Sequence, residues 1–174
     1  MKSRSIAGAA VALALGVTWA FRSVLEFARP NYVEPVSLFD WIAVVSFSVA
    51  LALLAGAAWL ITVLGGGSRP VVASAAVLAL GGVVAAVANF VEDGLGISAF
   101  GLVFAGGLLG VLAGLVALAL VLALRGRYWL AALAAATFVG LFASIEAGGG
   151  LLILAAWSLV AVQLWRHPES LVSR

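Results

Sequence analysis

The chain is 174 residues long; 66% of its side chains are apolar, 20 further residues are glycine, and only 9% are charged. A chain of this size cannot hide so much hydrocarbon behind a polar skin, which excludes a water-soluble globular domain, and it is too apolar for a solvated disordered segment. The formal charge of +2 is small, and the lack of cysteine excludes disulfides, thiolate metal sites and cysteine nucleophiles.

A polytopic transmembrane bundle of α-helices follows. Hydrocarbon leaves every backbone polar group to be satisfied within its own segment, and the strand-length alternation of a barrel is missing. Roughly 20 residues at ~1.5 Å each cross a ~30 Å core, and six runs are of that order. The first covers residues 6–25, behind Lys2 and Arg4, and is interrupted by Arg22. Its basic start and Thr18-Trp19-Ala20 also resemble a mediocre leader cleavage site, so a cleaved signal peptide stands as the rival reading of this span. Pro30, Asn31 and Pro35 then mark an extended connector. The second span, 38–64, opens on Ser37 as N-cap with Asp40 three residues on, and with Val36 and Trp41 as a hydrophobic staple. It stops at Gly65-Gly66-Gly67. The third, 70–91, has Pro70 in its first turn and ends at Glu92-Asp93-Gly94. The fourth, 96–124, is longer than the core requires, which predicts tilt or a kink at Gly106-Gly107. Arg125-Gly126-Arg127 turns into the fifth span, 128–145, and Glu146 to Gly150 turns into the sixth, 149–165. Residues 1–174 thus form one membrane domain.

Alternate loops fall on alternate sides. One side receives Lys2, Arg4, Arg69, Arg125, Arg127, Arg166 and Arg174; the other receives only Arg22 and Arg29. The positive-inside rule makes both termini cytoplasmic and the protein a multi-pass component of a cell membrane. Glu26, Glu34, Asp40, Glu92, Asp93 and Glu146 are then external, with Glu169 inside. Tyr128, Trp129 and Trp165 fall at the inner boundary, and Trp19, Trp41 and Phe90 near the outer one, where interfacial aromatics belong.

Small residues recur every four positions. Gly106, Gly110 and Gly114 line one face of the fourth span, with similar ladders at Gly8, Ala12, Gly16 and Ala20, at Gly81, Ala85 and Asn89, and at Ala132, Ala136, Gly140 and Ser144. Such faces let backbones approach closely, either inside the monomer or at a homo-oligomeric seam.

The inventory for chemistry is short. The single histidine, His167, precedes Pro168 in the tail, the serines and threonines are scattered without a nucleophile–base signature, and phosphate-binding, zinc and dinucleotide signatures are missing. No catalytic residue, cofactor or nucleic-acid role is expected, and an intramembrane lipid-acting enzyme using Glu92 or Asp93 is the weakest reading. More suggestive is that the first, third and fifth spans each end on a carboxylate, at Glu26, Glu92 and Glu146, against the negative end of the helix dipole. If these acids converge with Asp93 and Asn89, they form a mouth for a cation or cationic solute, with Arg22 as a salt-bridge partner or an internal substitute for that cation. Topology alone also collects acids on an outer face, and Asn89 has a plainer role as hydrogen-bonding glue between helices. The sequence therefore supports a small carrier, channel or membrane-embedded solute-binding subunit. The alternative is an accessory or assembly protein that docks other membrane subunits through its small-residue faces.

Overall fold

The computed structural model describes residues 2–28, 35–143 and 148–166. They form six α-helices: α1 (Lys2–Ala28), α2 (Leu38–Leu64), α3 (Arg69–Asn89), α4 (Gly101–Leu124), α5 (Tyr128–Ala143) and α6 (Gly149–Arg166). Between α3 and α4 lie a π-helical turn, Phe90–Gly94, and a 3-10 turn, Ser98–Phe100. The architecture is an all-α bundle. Five segments are long and apolar enough to cross a membrane: Ser5–Phe27, Leu38–Leu64, Arg69–Gly94, Ser98–Leu124 and Gly149–Arg166. The fifth helix, Tyr128–Ala143, is apolar but shorter.

Each helix packs on its neighbours in sequence, and α1 closes the ring against α6. The contacts run antiparallel. Gly8 and Gly16 of α1 meet Leu164 and Leu154 of α6, and Gly107 and Gly114 of α4 meet Ala85 and Leu78 of α3. Gly82 of α3 meets Leu51 of α2, while Asn89, two turns later, reaches back to Val44. Alternating direction gathers Arg69, Arg125, Arg127 and Arg166 at one end, and Glu26, Asp40, Glu92 and Asp93 at the other. We refer to these as the arginine end and the acidic end.

Local signals explain the best-read helix. Ser37 and Asp40 form the reciprocal capping box of α2: the Asp40 N–H donates to Ser37 Oγ (3.3 Å) and the Ser37 N–H to Asp40 Oδ2 (2.9 Å). Gly65 N–H returns to the Ile61 carbonyl at the other end. The staple is a correction: Val36 stands 84% exposed, so the cap rests on polar bonds alone. The first helix extends past the expected 6–25 at both ends, and the fourth begins at Gly101 and runs unbroken through Gly106-Gly107 to Leu124. Ser98–Phe100, expected within the fourth span, instead form the 3-10 turn, and the π turn takes the end of the expected third span.

The close approaches are internal. A Cβ at Gly81 would fall 2.6 Å from the Val111 nitrogen, and one at Gly107 or Gly114 would fall 2.6 Å from the nitrogen of Ala85 or Leu78. Gly110 packs over Gly81, whereas Gly106 has nothing within 4 Å. The ladder written at 106, 110 and 114 thus runs in space through 107, 110 and 114, as a period of ~3.6 rather than 4 requires. In the α5 ladder, Gly140 packs against Ile153 while Ala132 faces outward.

Several hydroxyls find partners within the bundle. Thr18, Thr62 and Thr137 donate to the carbonyls of Ala14, Ala58 and Leu133, one turn earlier. Helices α1 and α6 are latched at both ends, by Ser5 Oγ donating to the Leu164 carbonyl (2.5 Å) and by the Gly150 N–H donating to Ser23 Oγ (3.0 Å). Ser23 thereby caps the start of α6 from a neighbouring helix, and only a glycine at 150 leaves it and the Trp19 carbonyl room.

Candidate functional site

At the acidic end, three of the carboxylates acquire local tasks. Asp40 caps α2. The Glu92 carboxylate lies over Gly101, the first residue of α4, so near that a Cβ there would fall 2.5 Å from Oε1. The π-helical turn carries this acid away from the negative end of its own helix to the positive end of the next, where the dipole favours it. Glu26 pairs with Arg22, one turn earlier, through Nη2–Oε1 at 2.7 Å. Arg22 is only 8% exposed, and its guanidinium lies 4.9 Å over the Phe47 ring. The structure thus brings Glu26 to the Arg22 guanidinium, which fills the place that the sequence left open to a cation.

Asn89 belongs elsewhere. It is 2% exposed, and its amide donates to Ser48 Oγ (3.0 Å) and the Val44 carbonyl (3.5 Å), tying α3 to α2. Glu146 lies outside the described residues, as do Glu34, Arg29 and His167. Among the described residues, no group of three or more His, Asp or Glu side chains could hold a metal ion.

One concave feature here is a cavity of about 130 Å³ lined by α1, α2, α4 and α5. Its walls are Trp19 and Glu26, Phe47, Leu108 and Leu112, and Leu141 and Phe142. Aromatic rings pack beside it: Phe47 meets Trp19 edge-on at 5.9 Å and Phe104 at 6.1 Å. Trp19 corrects the sequence reading. It is 1% exposed and central, not interfacial, since α6 covers the outside of its helix. Two polar atoms of the cavity-lining residues are buried without a hydrogen-bond partner, the Trp19 indole N–H and Glu26 Oε2, and Arg22 Nε beside them is likewise unpaired. Such atoms cost free energy in a dry interior, and a ligand is one thing that repays it.

Sequence reasoning found Glu26 and Arg22 but missed Trp19 and Phe47. The signal was available on α1: Trp19, Arg22 and Glu26 follow at i, i+3 and i+7, one helix face carrying an aromatic ring, a cation and an anion. Phe47 had no such signal.

Fold and site together define a helical membrane protein with a small apolar cavity edged by an ion pair. In comparisons with known proteins, no family model, no curated protein and no solved structure matches this chain.

Proposed function

We propose that the chain is a small membrane-embedded solute-binding protein or carrier subunit whose ligand occupies the cavity at the acidic end. The supporting observation is the pair of unsatisfied buried polar atoms, Trp19 Nε1 and Glu26 Oε2, which belong to two residues lining an otherwise apolar hole. A site that is mostly apolar with a few placed polar groups is the usual form of a small-molecule pocket. In this reading all six helices span a cell membrane, both termini are cytoplasmic, and the cavity opens toward the external side. The arginine turns supply the inner charge, and the short α5 is accommodated by local thinning or tilt.

The cavity resembles in volume the ~150 Å³ apolar hole that accepts benzene. Benzene is therefore the neutral probe. Added to the protein in lipid nanodiscs, it should shift the indole N–H resonance of Trp19 saturably, and Leu112→Phe, which fills the hole, should remove the shift. Equal shifts in both proteins would mean that benzene is merely dissolved in the lipid, and the cavity reading would fall.

A further inference from the structure

Resting on the proposed site, the geometry points to a monovalent cationic amphiphile as its ligand class: one ammonium group for Glu26 Oε2 and one ring-sized apolar body for the Trp19–Phe47 wall.

Three observations select the charge. Arg22 engages Glu26 through Oε1 alone, and Glu92 and Asp93 stand at the same end of the bundle, so among the described residues the carboxylates there outnumber the guanidinium. A cation is drawn to such a surplus and an anion is repelled by it. Glu26 Oε1 is occupied by Arg22 but Oε2 is buried and unpartnered, so an acceptor of charged donors stands ready where the carboxylate edges the cavity. Trp19, Phe47 and Phe142 place aromatic rings at the wall, whose quadrupoles can attract a cation, and Phe47 already hosts one in Arg22. Size follows from the volume, which matches one six-membered ring with a short arm. Length follows from the helix: Trp19 and Glu26 are two turns apart, about 10 Å along the axis. The ammonium group then sits at the acidic end and the ring lies deeper.

Arg22 becomes a built-in competitor. It stabilises Glu26 when the cavity is empty and repels a bound cation when it is full. Removing Arg22 should therefore tighten cation binding, an outcome opposite to that of a merely structural ion pair.

The test compares three probes of one shape, phenethylamine, phenethyl alcohol and phenylacetate, by titrating the Trp19 indole resonance of the full chain in nanodiscs. The amine should bind at least about tenfold more tightly than the alcohol, as expected for a charge-assisted hydrogen bond, and phenylacetate should not bind. Glu26→Gln should cost the amine at least tenfold and leave the alcohol unchanged, and Arg22→Gln should tighten the amine. If Glu26→Gln does not fold, the ligand series on the unaltered chain and Arg22→Gln still decide. Equal binding of amine and alcohol, or weaker amine binding in Arg22→Gln, would overturn the cationic class while leaving the cavity as a binding site. No saturable shift with any probe, benzene included, would remove both.

Discussion

Substituting alanine at Gly106 and at Gly107 should give opposite results, although the two positions are adjacent on one helix. At Gly107 the new Cβ would lie 2.6 Å from the Ala85 nitrogen and 2.9 Å from its Cα. Ordinary contact begins near 3.4 Å, so α3 and α4 must part by about 0.8 Å, and no flexible side chain is there to yield. A gap of ~0.5 to 1 Å forfeits a quarter to a half of each dispersion contact along the seam. Overpacking of this kind typically costs ~1 to 3 kcal/mol, against which glycine to alanine in a helix returns up to ~1 kcal/mol. Gly107→Ala should therefore destabilise by about 1 to 2 kcal/mol. Gly106, with nothing within 4 Å, keeps only the helix gain, so Gly106→Ala should be neutral or more stable by up to ~1 kcal/mol. Reversible unfolding in mixed micelles reads both. Equal tolerance at the two sites, or greater sensitivity at Gly106, would refute the α3–α4 packing and point to an external seam on the Gly106 face.

Three further substitutions probe the polar contacts. Thr137→Val keeps the shape but strands the Trp157 indole N–H, which donates to Thr137 Oγ1 at 3.0 Å inside a fully buried pair; the loss should be ~1 to 3 kcal/mol, with a displaced Trp157 indole resonance. A double-mutant cycle of Asn89→Ala and Ser48→Ala should show a coupling of roughly 0.6 to 2 kcal/mol, the range for interhelical hydrogen bonds in lipid, and additive effects would deny the bond. Asp40→Ala opens the capping box, so hydrogen exchange should quicken at Leu38 to Trp41 and stability should drop by ~0.5 to 2 kcal/mol.

What the sequence disclosed is what short-range physics governs. Ser37 and Asp40 announced the start of α2 and Gly65 its end, because caps and glycine turns are decided within four residues. Arg22 and Glu26 were legible as a pair for the same reason, being one helical turn apart. The hidden parts depend on which faces meet. A strict four-residue ladder nominated Gly106, but the helix turns 3.6 residues at a time and hands the contact to Gly107. Trp19 looked interfacial by its depth in the span, and only the closure of α1 on α6 makes it central. The π-helical turn at Phe90–Gly94 gives Glu92 to the next helix, a rearrangement with no composition signature. The cavity itself arises from four helices meeting around Phe47, and pairings so distant in sequence leave no local trace.

The most direct test of the account uses the natural absence of cysteine to make Leu112→Cys the sole thiol in the chain. Reconstituted in vesicles, it should react with a small, membrane-impermeant cationic thiol reagent applied from the acidic side, react little from the arginine side, and be protected by phenethylamine. Leu109→Cys, three residues away and exposed on the outer surface of α4, serves as the lipid-facing reference and should stay unreactive. Unreactive cysteine at 112, or the same reactivity at 109 and 112 from either side, would contradict a solute-binding cavity open at the acidic end.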